Sequence, residues 1–264
     1  MKYMHFRASC SYAALSMLLE KEGIQTEDYK IALEMNLPWL FTKENDSYVA
    51  GPSLQGAKWF NLWLFPHGFE MSEVFIHKQE LITYILGHTP AMLGIRTESG
   101  KHAVVFTGCN GKYHFLNPVH ENSTEPTELI LSKEELLDRV DEEIVVGTLA
   151  RTEPKFVDYS LLLRQSVGVL SNCLSDIEAY SRIVHDPSEY LIMMDKLFRA
   201  LLLDGISMLE LAGESTLAKG FTDVQKQFLV FMRGSRSGLI SDVVSMDKLF
   251  NLTQDYIRLI ESKL

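Results

Sequence analysis

Hydrophobic positions change their period along the chain, and the changes divide it. From Ser9 to Glu22 (Ser-Cys-Ser-Tyr-Ala-Ala-Leu-Ser-Met-Leu-Leu-Glu-Lys-Glu) good helix formers run unbroken to Gly23, a natural residue just past a helix end. That run predicts a helix beginning near Cys10. Glu27 to Met35 predicts a second, shorter helix, and Gly51-Pro52-Ser53 predicts a third through Trp63 with Ser53 as its N-cap. Ser72-Glu73 precedes a mixed stretch, and His77 to Leu86 reads as helical. From Ala91 the pattern turns strand-like. Ala91 to Arg96 and His102 to Gly108 are apolar runs joined by Thr97-Glu98-Ser99-Gly100-Lys101, a loop of hairpin length. Asn110-Gly111 follows as a two-residue turn signal, and Lys112 to Asn117 returns as a third strand, giving an antiparallel meander. Ser132 with Glu135 forms a capping box for a short helix through Val140, and Glu143 to Leu149 adds another strand.

Past Arg151-Thr152-Glu153-Pro154-Lys155 the period becomes helical throughout. Leu163, Val167, Leu170, Leu174, Ile177 and Val184 form one stripe; Leu191, Met194, Phe198, Leu201, Gly205, Met208 and Ala212 form another. Asp186 and Pro187 are placed to cap and open that second helix. Thr222 begins a third helix through Phe231, and one or two more run from Leu239 to the end. Four antiparallel helices is the economical arrangement. The expectation is α+β: a domain over 1–150 with N-terminal helices and an antiparallel sheet, then an all-α helical bundle over 156–264.

Charge narrows the partners. The net charge is −10, and up to Ala150 there are 12 Lys and Arg against 20 Asp and Glu, so the acidity belongs to the first part. Tracking a phosphate backbone needs clustered cations, and no nucleic acid is expected as partner. No run approaches the ~18 apolar residues of a membrane span, and the chain start leads into no apolar signal segment. The expectation is a soluble, cytoplasmic protein with no membrane partner. Three cysteines, Cys10, Cys109 and Cys173, are too few and too odd for a disulfide framework. Each is read as a free thiol.

Cys10, His102 and Asn117 form the constellation with chemistry in it. A thiol at a helix N-terminus feels the positive end of the macrodipole, and a nearby imidazolium lowers its pKa further. His102, at the head of a strand, can serve as base and then acid if its ring is held, and a side-chain carbonyl such as Asn117 supplies that hold. Pairing across Asn110-Gly111 brings His102 and Asn117 near each other, because their numbers are nearly symmetric about the turn.

The stretches Ser9-Cys10-Ser11-Tyr12-Ala13-Ala14-Leu15-Ser16-Met17, Gly100-Lys101-His102-Ala103-Val104-Val105-Phe106-Thr107-Gly108 and Tyr113-His114-Phe115-Leu116-Asn117-Pro118 resemble papain-like cysteine peptidases of the bacteriocin-processing, double-glycine-leader type. The resemblance covers roughly residues 1–150. It implies that the cysteine opens the central helix, the histidine opens a strand, and Asn117 before Pro118 completes a triad. It also implies a glutamine six residues before the cysteine, as oxyanion donor. That position is Met4, with His5 beside it. The Cys10 backbone N–H and His5 are the remaining oxyanion candidates. Glu22-Gly23-Ile24, Glu27 and Leu37 to Phe41 resemble a related family, the butirosin-pathway acyltransferases, which carry a helical region after the papain-like part. Both families run acyl transfer through a thioester, resolved by water in one and by an amine in the other.

The remaining features add less. Trp59-Phe60-Asn61-Leu62-Trp63-Leu64-Phe65 is dense enough in aromatics to be core, with Trp59 and Trp63 the candidates for a substrate cleft. Cys109 and Cys173 lack such partners and read as structural. His114 and His120, across Pro118, match no zinc spacing, so no metal and no cofactor are expected. The expected activity is hydrolysis of a peptide or amide bond, with acyl transfer to an amine as the alternative and a catalytically silent binding protein as a third reading. The expected substrate is a peptide or an acyl thioester. The helical seams would pack internally or against a second copy, which would make a homo-oligomer.

Overall fold

The computed structural model describes residues 3–98, 100–182, 187–236 and 244–264. Val184, Asp186 and Leu239 of the expected helical pattern lie outside them. In chain order come α1 (Cys10–Lys21), α2 (Asp28–Glu34), the hairpin strands β1 (Phe41–Glu44) and β2 (Ser47–Ala50), α3 (Ala57–Leu64) and β3 (Phe69–His77). Then follow α4 (Leu81–Gly87), β4 (Ala91–Thr97), β5 (Gly100–Cys109), β6 (Tyr113–Leu116), β7 (Glu128–Leu131), α5 (Lys133–Arg139) and β8 (Glu143–Arg151). The remainder is helical: α6 (Tyr159–Ser181), α7 (Pro187–Leu197), a π-helical stretch Phe198–Asp204, α8 (Gly205–Leu211), α9 (Ser215–Arg236) and α10 (Met246–Glu261). Among the described residues no helix is long and apolar enough to cross a membrane.

The chain divides into two compact units, one of Met1–Met35 with Gln55–Val157, the other of Asn36–Leu54 with Asp158–Leu264. Segment 36–54 thus leaves the N-terminal part, where the linear reading put it, and joins the helical unit. Hydrogen bonds within that unit show why. Phe41 N–H donates to Ser166 Oγ (2.9 Å), Tyr48 OH to Asp176 Oδ2 (2.7 Å), and Tyr256 OH to the Pro38 carbonyl (2.6 Å). The elements described from Tyr159 onward are all helical, and the unit they belong to also takes in one β-hairpin, β1–β2, from earlier in the chain.

In the first unit a six-stranded antiparallel sheet runs in the order β3-β8-β4-β5-β6-β7. The expected meander β4-β5-β6 lies inside it, with Ile95 opposite His102 and Val105 opposite Leu116. One face buries Leu93, Ile95, Val104, Phe106, Phe115 and Val146 with Leu81 and Ile85 of α4 and Leu136 of α5. The Ser132 capping box is formed: Ser132 Oγ accepts from Glu135 N–H (3.2 Å), and Glu135 Oε2 accepts from Ser132 N–H (2.7 Å). Two expected elements shift. His77 ends β3, and α4 starts only at Leu81. Ser53 caps nothing: it closes a 3-10 turn, gives its hydroxyl to Asp204 (2.6 Å), and leaves Gly56 (φ +92°) to precede α3.

Candidate active site

Cys10 is the first residue of α1, a helix buried along nearly its whole length. Ser9 does not cap that helix, because its hydroxyl donates instead to Asp28 Oδ2 (2.7 Å), and the first turn holds no acidic residue. The positive end of the helix is therefore left to the thiol. Asp28 is fully buried and also accepts from the backbone N–H of His5 (2.8 Å) and of Tyr29 (2.8 Å). Those bonds fix the turn that delivers Cys10. Just upstream, Met4 N–H bonds the Val119 carbonyl (2.9 Å), so the chain start is strapped to the segment that follows Asn117.

Cys10 and His102 are brought together. Burial pushes the thiol pKa up, but the hydrogen bond and charge of the His102 imidazole, with the backbone N–H groups of Ala103 and Ser11, outweigh it and hold the thiol below its ordinary value. The imidazole moves the opposite way: burial pulls it down, and its bond to Cys10, the charge on that sulfur, the Asn117 amide and the Pro118 carbonyl carry it above its ordinary value. Opposed shifts in two touching groups move both toward a thiolate–imidazolium pair. By contrast, burial drives the Cys173 thiol well up, and Cys109 is exposed at the far end of β5.

Asn117 is 4 % exposed and anchored by its backbone N–H to the Thr127 carbonyl (2.8 Å). Its Nδ2 donates to the Pro126 carbonyl (2.7 Å), which assigns the other end of the amide as the oxygen. That Oδ1 and His102 Nε2 are both buried, and neither makes a hydrogen bond. Asn117 lies close enough to raise the imidazole pKa, yet the two atoms stop short of a formed bond. With Ser11 Oγ they are the three buried side-chain polar atoms without a partner among the described residues. All three lie at this site, where a buried orphan asks for a functional account.

A cleft of about 210 Å³ opens at Cys10 and His102, and its walls include Gln55, Gly56, Phe60, Glu73, Met92 and Lys101. Two expectations need correction. His5 is not among the residues that line the cleft, and its Nδ1 is engaged by the Asp28 carboxylate. Trp59 and Trp63, four apart on α3, share its buried face (6 % and 3 % exposed), and Trp63 Nε1 donates to Glu34 Oε2 (2.6 Å). Phe60, one position round the helix, is the aromatic that faces the cleft. Gln55, Glu73 and Lys101 have no role in the sequence pattern, although Lys101 stands beside His102. His114 Nε2 meets Asn110 Oδ1 (2.6 Å) and His120 Nδ1 meets the Met4 carbonyl (2.9 Å). No group of three or more His, Cys, Asp or Glu side chains that could hold a metal occurs among the described residues.

No family model matches the sequence, and no curated protein matches it. Among solved structures the chain is similar to the peptidase domain of Streptococcus ComA, a bi-functional ABC transporter involved in a quorum sensing pathway. The identity is 14 %, the TM-score 0.41, and the match covers 57 % of this chain and 97 % of that one. At that distance the likeness assigns neither activity nor substrate, which have to come from the residues themselves.

Proposed function

We propose that the first unit is a papain-like cysteine enzyme that hydrolyses a peptide or amide bond through a thioester on Cys10. The observation that carries the reading is the Cys10–His102 pair, with opposed pKa shifts, at the mouth of an open cleft. Cys10 Sγ attacks the carbonyl carbon, and the His102 imidazolium gives its proton to the leaving nitrogen. Water then attacks the thioester, with His102 as base. Asn117 Oδ1 accepts from Nε2–H as the imidazolium forms, which closes the gap between the two orphaned atoms. Oxyanion donors are the Cys10 backbone N–H and the Gln55 carboxamide. Gln55 Nε2 lies in the cleft and donates to the carbonyl of Ala8 (3.2 Å), two residues before Cys10.

p-Nitrophenyl acetate tests this without knowledge of the natural substrate. The expected result is a burst of p-nitrophenolate, an acetyl adduct confined to Cys10, and its slow release as acetate; Cys10→Ala abolishes the burst. Gln55→Ala slows acylation by about 10²–10³, the usual cost of one oxyanion donor. A burst that survives Cys10→Ala overturns the reading. A second reading, transfer of the acyl group to an amine, is favoured by Met4 standing where the peptidase type has its glutamine. It predicts an acetyl adduct that persists in buffer and is discharged when an amine is added.

A further inference from the structure

We propose that Glu73 is a specificity-determining residue that selects an acyl donor carrying a positive charge near the reacting carbonyl. The inference rests on the Cys10 thioester reading above and adds a substrate class to it.

Glu73 lies on β3, an edge strand, directly opposite Gly147 of β8. Both residues line the Cys10 cleft, so the strand position facing Glu73 presents no side chain there. On its other flank is Gly56. A methyl group at Gly56 would sit 3.3 and 3.5 Å from the two Glu73 carboxylate oxygens, which locates that carboxylate beside Gln55 and the start of α3. Gly56 thus leaves the carboxylate open to the cleft, whereas a methyl group at Gly147 would meet Met71 Sδ (3.0 Å) and Met92 Cε (3.6 Å). Among the described residues it makes no hydrogen bond and no ion pair. Glu70 of the same strand, by contrast, is held by Lys155 Nζ (2.6 Å).

The cleft supplies no countercharge of its own. Of its lining residues only Lys101 and His102 can be cationic. Lys101 Nζ is held by Asp141 Oδ2 (2.5 Å), and His102 is committed to Cys10. Glu73 is exposed, so water solvates its carboxylate until a cation carried by the substrate pairs with it. Its carrier is the acyl part: Glu73 flanks Gln55 and Gly56, the side assigned to the oxyanion, whereas the leaving nitrogen belongs beside His102. Neighbouring walls of Phe60 and Met92 suit an aliphatic stem between the charge and the carbonyl. The chemical class is an acyl group with a short alkyl ammonium or guanidinium chain.

Methanethiosulfonates read this directly, because the group they leave on Sγ takes the place of the acyl group. The Cys10 thiolate attacks the sulfenyl sulfur, a mixed disulfide forms, and methanesulfinate departs. Rates at Cys10 are measured for the 2-aminoethyl (cationic), methyl (neutral) and 2-sulfonatoethyl (anionic) reagents at low ionic strength, site by site, by peptide mass. Glu73→Gln is expected to lower the cationic-to-neutral rate ratio about fivefold, the factor one unit charge a few ångströms away contributes in a solvated site. Glu73→Lys is expected to reverse the preference toward the anionic reagent. Glu128→Gln, on the opposite edge strand, keeps the wild-type ratio and controls for net charge. A ratio unchanged in both Glu73 variants, with Cys10 still labelling faster than Cys109, overturns the assignment of Glu73 and leaves the thioester reading standing. Wild-type Cys10 labelling no faster than Cys109 with the neutral reagent overturns the thioester reading itself.

Discussion

Asp204 closes the π-helical stretch of the second unit and is 4 % exposed. Burial pushes its carboxyl up to about 6, against the opposing pull of the Ser53 hydroxyl (2.6 Å) and the Arg199 charge. A carboxyl whose folded value is raised above its unfolded one favours the folded chain while it is protonated. Stability is therefore full below the unfolded value of 3.8, falls as the pH climbs to about 6, and stays low above that. The interval from 3.8 to about 6 corresponds to about 3 kcal/mol at about 1.36 kcal/mol per pH unit. Asp204→Asn keeps an oxygen to accept from Ser53 and cannot ionise. Urea unfolding followed at 222 nm, where the helices of the second unit dominate, measures the difference between the two proteins against pH. We expect Asp204→Asn to match wild type to within about 0.5 kcal/mol at pH 4 and to exceed it by about 3 kcal/mol at pH 8. A difference that does not change between pH 4 and pH 8 refutes the argument, because a purely steric effect of the amide has no pH dependence.

Other outcomes follow from particular contacts. A methyl group at Gly205 would sit 2.5 Å from the Ala200 carbonyl oxygen, so Gly205→Ala should lower the unfolding free energy of the second unit, measured in urea, by about 1–3 kcal/mol. Ser132→Ala removes the capping box of α5 and should cost about 1 kcal/mol, with faster amide exchange confined to Lys133–Arg139. Asn117→Ala removes one of the groups that raise the His102 pKa, so the upper pH limit of the imidazolium, read from the His102 ring-proton shifts by NMR, should move down; acylation by p-nitrophenyl acetate should slow by about 10²-fold. Asn117→Asp keeps an acceptor facing the imidazole and should move that limit up. A downward shift in both variants would mean that Asn117 acts only through the fold.

Local signals carried most of the first unit. The helix at Cys10 ends before Gly23 (φ +86°), the Asn110-Gly111 turn sets the Val105–Leu116 register, and the Ser132 box forms, because each is decided within a few residues. The edge strand β3 was opaque, since only Phe69, Met71 and Ile76 of its nine residues are buried, and its partner β8 starts 66 residues after it ends. The hairpin of segment 36–54 is decided by long-range bonds such as Phe41 to Ser166, which no local pattern encodes. In the second unit an even helical spacing put Phe198 on the seam. The π-helical stretch inserts residues into the turn: Met193 and Leu197 are buried and Phe198 only half-buried, while Leu201 keeps its expected place in the core. At the site, the approach of Cys10, His102 and Asn117 was legible because strand and turn grammar bring them together. The cleft walls were not, since Gln55, Glu73 and Phe60 meet Cys10 only after α3 and β3 are packed.

The claim on which the account turns is that Cys10 and His102 form an ion pair near neutral pH. Site-resolved alkylation by iodoacetamide at pH 6 tests it, because this displacement at carbon needs a thiolate and no oxyanion donor. The account predicts that Cys10 reacts far faster than Cys109, that Cys173 stays unmodified in the folded chain, and that His102→Ala reduces the Cys10 rate at pH 6 to that of Cys109. A Cys10 that labels at the Cys109 rate, or one whose rate is unmoved by His102→Ala, contradicts it.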